Sequence, residues 1–200
     1  MIETIQKIRA AFPNAVLNET FFRDEYSLTV SLSSLRDICL HARDVLGFNY
    51  LVDVSSVDHF GEEPRFEMVY EIYSMRDRIH LRLKATVSED DCQVPTVSDI
   101  WPAADWHERE VYDMMGIRFV NHPDLRRILM WEGFPYHPLR KDFPLEGKNS
   151  DTPGVAFSHP APLAGGPFVT VPTDGTTQVR EPRARHAEDL TTPEKIIAQP

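Results

Sequence analysis

Phe66–Val87 reads FEMVYEIYSMRDRIHLRLKATV, and this stretch decides the fold. Phe66, Met68, Tyr70 and Ile72 alternate with Glu67, Val69, Glu71 and Tyr73. After Met75-Arg76-Asp77-Arg78, the residues Ile79, Leu81, Leu83, Ala85 and Val87 alternate with His80, Arg82, Lys84 and Thr86. Side chains on a strand point to opposite faces with a period of two, so the two segments predict a β-hairpin. Its register follows from the same pattern. Pairing Ile72 with Leu81 and Tyr70 with Leu83 gathers the large apolar residues on one face and sets Glu71 opposite Arg82; a one-residue slip would lose both.

Outward from the hairpin, Tyr50, Val52 and Val54 alternate with Leu51, Asp53 and Ser55, which predicts a third strand. Before it, Leu35, Ile38, Cys39, Ala42 and Leu46 share one face of a helix, with Ser33 or Ser34 as its N-cap and Gly47 at C′. Residues 16–31 read as two short strands around a polar turn near Arg23-Asp24-Glu25. Ile5, Ile8 and Phe12 give a first helix that Pro13 stops. The expected fold class is α/β (α+β): over residues 1–121, a mixed or antiparallel sheet packed by helices. An acidic loop at Glu89-Asp90-Asp91 leads to a helix near 102–115, with Pro102 in its first turn and Gly116 closing it.

Residues 122–148 hold Phe134-Pro135-Tyr136-His137-Pro138 and Phe143-Pro144, which deny a regular helix or central strand and predict an irregular extended arm. Residues 149–200 contain eight of the sixteen prolines and only two aromatics, Phe157 and Phe168. Such a tail is expected to be disordered, or laid extended along a partner, without a core of its own.

The chain has 200 residues, 42% of them hydrophobic, and a formal charge of −10. That length supports one cored domain, and that charge argues against non-specific binding to nucleic acid or anionic lipid. The longest apolar runs fall far short of the roughly 20 residues that cross a bilayer. MIETIQKIRA has no apolar signal segment and carries a glutamate, so a cytosolic chain is expected, reaching a membrane only through a partner. Cys39 and Cys92 lie far apart in no paired motif, which predicts reduced, inert thiols. No dinucleotide, phosphate-loop or nucleophile-elbow motif occurs. His107-Glu108 opens like a zinc-protease helix, but Val111 stands where the second histidine is required.

The densest pattern lies at Trp106–Leu129, WHEREVYDMMGIRFVNHPDLRRIL. Glu108 and Glu110 stand two apart on a helix and point in different directions, so they form no catalytic dyad. Arg109 lies four residues from both Asp105 and Asp113, which predicts a clamp by two carboxylates. Ala104, His107, Val111, Met114 and Met115 form an apolar stripe. The charged triplet Glu108-Arg109-Glu110 reads either as hydrogen-bonded anchors for the following loop or a neighbouring subunit, or as a solvated face. His122, His137 and His159 are scattered and suit turns or caps. Arg126-Arg127 and Arg140-Lys141 are nearly balanced by Asp124, Glu132, Asp142 and Glu146. Leu129, Met130, Trp131, Phe134, Tyr136, Leu139, Phe143 and Leu145 follow without a period. So many large apolar groups imply burial against a partner, or else a loop folded back on its own domain.

This series of spaced positions resembles the C subunit of respiratory complex I, the proton-pumping NADH–quinone oxidoreductase, of bacterial type. The likeness continues through RRILMWEGFPYHPLRKDFPL and more loosely back to about Phe12. It implies a cofactor-free structural subunit of the hydrophilic arm, supporting electron transfer from NADH to quinone coupled to proton translocation. The oxidoreductase activity would belong to the complex, with flavin and iron–sulfur clusters in partner subunits and no catalytic site here. The expected neighbours are the large D subunit and the terminal-cluster subunit, at the cytoplasmic face of the inner membrane, peripherally bound. The signature residues Glu108, Arg109, Glu110, Asp113, His122, Arg126, Arg127, Trp131, Phe134, Tyr136, His137, Arg140 and Lys141 would then serve partner contact. Two rivals stand beside this: the equivalent subunit of a membrane-bound hydrogenase or related dehydrogenase, and a free-standing soluble enzyme using Glu110 or His122. A neighbouring gene for a flavin-binding NADH subunit, or for a nickel-site large subunit, separates the first two; turnover by the purified chain would support the third.

Overall fold

The computed structural model describes residues 2–131, 133–145 and 147, so the expectations for residues 149–200, and for Glu132 and Glu146, lie outside the described residues. The chain forms two compact units, Met1–Phe143 and Pro144–Pro200. In the second, Gly147 N donates to the Pro144 carbonyl at 2.9 Å, closing a turn.

The elements of the first unit are α1 (Ile2–Ala11), β1 (Val16–Phe22), β2 (Glu25–Val30), α2 (Leu32–Asp44), β3 (Tyr50–Asp58), β4 (Phe66–Ser74), β5 (Ile79–Val87), β6 (Gln93–Pro95), α3 (Ala104–Met115) and β7 (Arg118–Val120). Five strands form one mixed sheet in the order β1-β2-β5-β4-β3, and β6 and β7 form a small separate pair. Only the β2–β5 pairing in the large sheet is parallel; β1–β2, β3–β4 and β4–β5 are antiparallel. The fold is therefore α+β with a mixed sheet.

The hairpin adopts the register its sequence requires: Ile72 opposite Leu81, Tyr70 opposite Leu83, Glu71 opposite Arg82. Arg82 Nε donates to Glu71 Oε2 at 2.8 Å. Phe66, Met68, Tyr70, Ile72, Leu81, Leu83, Ala85 and Val87 are all fully buried. They join Ile5 and Ile8 of α1 and Leu35, Ile38, Cys39 and Ala42 of α2 in one core. Each of the Val, Leu, Ile, Met and Phe side chains among them contributes roughly 1.5–3 kcal/mol by leaving water. The β1–β2 turn falls at Arg23 and Asp24, both in the left-handed region (φ 50° and 65°), a turn whose twist suits a two-residue hairpin.

Four local expectations shift. The alternation in β3 breaks at a bulge between Leu51 and Asp53. One extra residue reverses the phase, so Leu51 and Val54 are both buried while Tyr50 and Val52 face out. Helix α2 is capped at Ser31, not Ser33 or Ser34, and without a side-chain cap bond. Gly47 stands two residues past the C-cap Val45, where its positive φ (82°) lets the chain turn so that Phe48 N reaches the Ala42 carbonyl at 2.9 Å. Pro102 lies in a turn ahead of α3, closed by Ala104 N to the Trp101 carbonyl at 2.9 Å, not in the helix itself.

Candidate functional site: the signature helix and its arm

Helix α3 lies along β3, with Ala104, Val111, Met114 and Met115 buried. His107 does not join that stripe. It is half-buried, with Nδ1 3.0 Å from Asp53 Oδ1. The unexpected feature is the helix's other flank, where Glu108, Arg109 and Asp113 are also buried. The solvated-face reading of the charged triplet therefore fails for Glu108 and Arg109 and holds only for exposed Glu110. Residues 96–97 and 122–141 cover that flank, and the charges are the reason they do.

Asp113 organises the arm. Its Oδ2 accepts the backbone N–H groups of Ile128 (3.0 Å), Leu129 (2.7 Å) and Met130 (2.9 Å), while Oδ1 accepts Arg127 Nη1 at 2.6 Å. Burial pushes this carboxyl up, but the four donors together hold it below its ordinary value, so it stays charged. One side chain thus fixes three consecutive backbone groups of a segment without regular structure.

The arm in turn caps the helix. The last four carbonyls of an α-helix have no partner inside it. Here Gly116 N takes the Tyr112 carbonyl at 2.9 Å, and Arg127 Nη1 donates to that of Asp113 at 3.1 Å, with His137 Nδ1 3.0 Å from the same oxygen. Leu139 N takes Met114 at 3.1 Å and Arg140 Nε takes Met115 at 2.6 Å. Gly116 has φ 78°, and a Cβ there would lie 2.6 Å from the His137 ring, so only glycine allows this closure.

Glu108 points the other way. Its Oε1 accepts Val97 N–H at 2.7 Å and its Oε2 accepts the Thr96 hydroxyl. Burial pushes its carboxyl up to about 7 despite those two bonds. His122, with its side chain fully buried, puts Nε2 3.2 Å from the Asp105 carbonyl and 3.8 Å from Glu108 Oε2. Its Nδ1 accepts Asp124 N–H at 3.1 Å, so His122 is a turn-holding residue as its spacing suggests.

The expected clamp on Arg109 does not form. Asp113 is committed to Arg127 and to the arm's backbone, and Asp105 lies beside His122 with Oδ1 at 3.4 Å. Arg109 instead donates Nε to the Arg126 carbonyl at 3.2 Å and lies over the Trp106 ring, 5.0 Å from its centroid. A spacing of four makes ion pairing possible, but the arm's donors take Asp113, and Asp105 turns to the His122 side with its Oδ1 left without a hydrogen bond.

The remaining signature residues fall along the arm. Arg126 Nε pairs with Asp124 at 2.8 Å on the surface. Phe134 stacks with Trp131 (4.6 Å) and Tyr136 (5.6 Å), and Arg127 lies over it. Arg140 covers Phe66, and Lys141 N donates to Asp58 Oδ2 at 2.8 Å. The arm's backbone is thus folded back on its own domain, while Leu129 (61%), Trp131 (38%) and Leu139 (60%) remain exposed on it.

Sequence reasoning missed the anchor beneath the arm. Arg65 holds Asp58 through Nε (2.8 Å) and Nη2 (2.9 Å), with both side chains almost wholly buried. Glu89 and Asp142 add contacts to the same guanidinium at 2.6 and 3.1 Å. The available signal was Asp58 itself, which takes an inward position in β3 once the bulge is counted. Among the described residues, no three His, Cys, Asp or Glu side chains gather as a metal site, and no helix is long and apolar enough to cross a membrane. Cys39 sits in the core and Cys92 is half-buried; neither is in a disulfide.

Comparison with known proteins finds a match over residues 28–149 to the family described as respiratory-chain NADH dehydrogenase, 30 Kd subunit. The chain is 47% identical over 146 residues to the C subunit of NADH-quinone oxidoreductase from Geobacter sulfurreducens, covering 72% of this chain and 90% of that protein. It is 46% identical over 142 residues to the second such C subunit of Rhizobium meliloti, covering 70% and 78%. Among solved structures it is similar to a trypsin-resistant fragment (1–134) of Nqo5, with 29% identity, a TM-score of 0.54, and 62% of this chain and 98% of that one covered. A chain of the membrane-bound sulfane sulfur reductase, an archaeal respiratory membrane complex, matches at 26% identity and a TM-score of 0.62, covering 72% and 85%.

Proposed function

This chain belongs to the respiratory-chain NADH dehydrogenase 30 Kd subunit family, and from that premise we propose that it acts as the C subunit of NADH–quinone oxidoreductase. It is a structural member of the hydrophilic arm, supporting electron transfer from NADH to quinone coupled to proton translocation, and the enzyme activity belongs to the complex. The observation that carries a structural role is the use made of the signature charges. Glu108 and Asp113 are consumed in fixing the chain around α3, with their acceptor oxygens facing backbone N–H groups and neighbouring side chains. A catalytic carboxylate must instead reach a substrate in a cleft.

The chain carries no flavin or cluster of its own in this reading. It has two cysteines in all, whereas an iron–sulfur cluster takes about four thiolates. Its partners are other subunits of the complex, chiefly the large D subunit and the terminal-cluster subunit, and it reaches the cytoplasmic face of the membrane through them. Leu129, Trp131 and Leu139, exposed on a rigidly held arm, supply a surface of the composition that interfaces use. The likeness to a sulfane sulfur reductase chain favours a second reading, the same scaffold in another respiratory complex, but the identities of 44–49% to C subunits over 142–146 residues weigh toward the NADH-linked one.

The test is co-purification of the tagged full chain from detergent-solubilised membranes, with subunits identified by mass spectrometry and NADH:quinone turnover assayed. A flavin-containing NADH-oxidising subunit in the same particle supports the assignment. A nickel-site large subunit in its place, or turnover by the chain alone, overturns it.

A further inference from the structure

Arg109 is the one buried signature cation that no carboxylate among the described residues balances. The residue is 6% exposed. A guanidinium removed from water ordinarily lies against a carboxylate, because a buried charge without a counter-charge is strongly unfavourable. A guanidinium carries five N–H donors. Among the described residues Arg109 uses one, Nε to the Arg126 carbonyl; its terminal nitrogens meet no protein acceptor there and still reach solvent. None of the nearby carboxylates turns to it: Asp113 holds Arg127, Asp124 holds Arg126, and Asp105 lies beside His122 with its buried Oδ1 making no hydrogen bond.

The setting is that of an interface centre. The Trp106 indole lies against the guanidinium and is itself 63% exposed, an unusual position for the largest apolar side chain on a helix whose other flanks are covered. Arg126, whose carbonyl Arg109 holds, also lines a cavity of about 440 Å³ together with Tyr112, Leu125, Arg127, Met130 and Gly133. Tryptophan, tyrosine, arginine and methionine are the residues enriched where protein partners bind most tightly.

We propose that Trp106 and Arg109 form a receptor for one carboxylate carried by a neighbouring protein subunit, an Asp or Glu side chain or a C-terminus. The carboxylate meets the unused terminal N–H groups, and the residues flanking it lie on the indole and in the adjoining cleft. Charge selects this occupant. A single carboxylate balances Arg109, because its neighbours Arg126 and Arg127 are already neutralised by Asp124 and Asp113. A phosphate dianion needs more than one free cation, and a lipid headgroup arrives on an anionic surface that repels a chain of net charge −10. The proposal rests on the reading of the chain as a subunit of a larger complex.

The experiment uses the full chain in its complex, purified from cells in which the tagged copy replaces the native one. Arg109→Gln keeps hydrogen-bonding capacity and removes the charge. It is expected to weaken association with the rest of the complex by about thirty-fold or more, as truncation of a desolvated interfacial charge does. The isolated Arg109→Gln chain is expected to melt within about 2 °C of wild type, since it loses no counter-charge of its own. In the complex purified with Arg109→Lys, a carbodiimide should couple the amine at position 109 to a carboxylate of a different subunit, read by mass spectrometry of the linked peptide. If Arg109→Gln does not fold, this cross-link alone decides. Assembly of Arg109→Gln at wild-type strength overturns the proposal, as do links confined to Asp105, Asp113 or Asp124. So does a variant that assembles normally and loses only binding to vesicles of anionic phospholipid. Failure of the wild-type chain to join any NADH–quinone oxidoreductase subunit would strike the functional reading instead; normal assembly of both proteins strikes only this one.

Discussion

Replacing Arg65 by methionine probes the ion pair on which the arm closes. The guanidinium meets both oxygens of Asp58, at 2.8 and 2.9 Å, and the two side chains are 3% and 2% exposed. Glu89 and Asp142 also touch Arg65, but they are about half-exposed and contribute little. Methionine keeps the apolar stem against Phe60 and Phe66, which Arg65 now covers at 4.9 and 5.0 Å. The loss is therefore dominated by Asp58, left buried with the Lys141 N–H as its remaining donor. Removing one member of a buried pair strands the other and costs about 3–5 kcal/mol. For a unit of this size that corresponds to a fall in Tm of about 10 °C.

The pH dependence carries a sign that can fail. The Arg65 hydrogen bonds hold the Asp58 carboxyl below its ordinary value. A group depressed in the folded state stabilises it above the ordinary carboxylate value, and that stability disappears as pH falls through the lower, folded value. The gap between wild type and Arg65→Met should accordingly be full at pH 7 and shrink in acid below about 4. Urea denaturation across pH measures it, with hydrogen exchange at the Lys141 amide reporting the arm directly. A double variant, Arg65→Met with Asp58→Leu, should recover part of the loss, because an apolar pair of similar volume can replace a buried ion pair. A pH 7 destabilisation under about 1 kcal/mol, or a gap that widens in acid, would refute the reasoning.

Two further outcomes follow from the helix itself. Burial lifts Glu108 from 4.5 to about 7, so the folded state binds the extra proton and stability falls as pH rises through that window, by about 3 kcal/mol. Glu108→Gln keeps the acceptor for Val97 N–H and should flatten this slope, matching or exceeding wild type at pH 8; identical slopes in denaturation at pH 5 and 8 would contradict it. Gly116→Ala places a Cβ 2.6 Å from the His137 ring and 2.7 Å from Arg140 Nη2 at a left-handed φ of 78°. It should destabilise by about 2–4 kcal/mol and speed exchange at the Leu139 amide, whereas a Tm near wild type would mean the arm yields freely.

What was legible in advance was whatever depends on near neighbours. Period-two alternation over 66–87 determined the β4–β5 register to the residue, since any slip turns Tyr70 and Ile72 out of the core. Helices α1 and α3 and the β1–β2 turn were readable for the same reason: periodicity, proline and glycine act within a turn or two. The spaced signature gave the family because a long run of positions was compared at once. Local signals failed where a single residue changed the count, as at the bulge after Leu51, or where two serines competed with a third to begin α2.

The site was legible as a set of residues and not as a set of contacts. Asp113 and Arg109 looked like a helical ion pair because a spacing of four allows one. Only the tertiary structure could bring the backbone N–H groups of residues 128–130 and the Arg127 side chain to Asp113, and these outcompete a neighbour on the same helix. Asp58 and Arg65 close across a seven-residue excursion, and Lys141 arrives from 83 positions away. The parallel pairing of β2 with β5 likewise joins strands separated by a helix and two other strands. Sequence by itself determined which residues are apolar, which are charged and how the local chain curls. Which charges are buried, and what neutralises each, was decided by the fold, because a charge can leave water only where donors or counter-charges from distant segments converge on it.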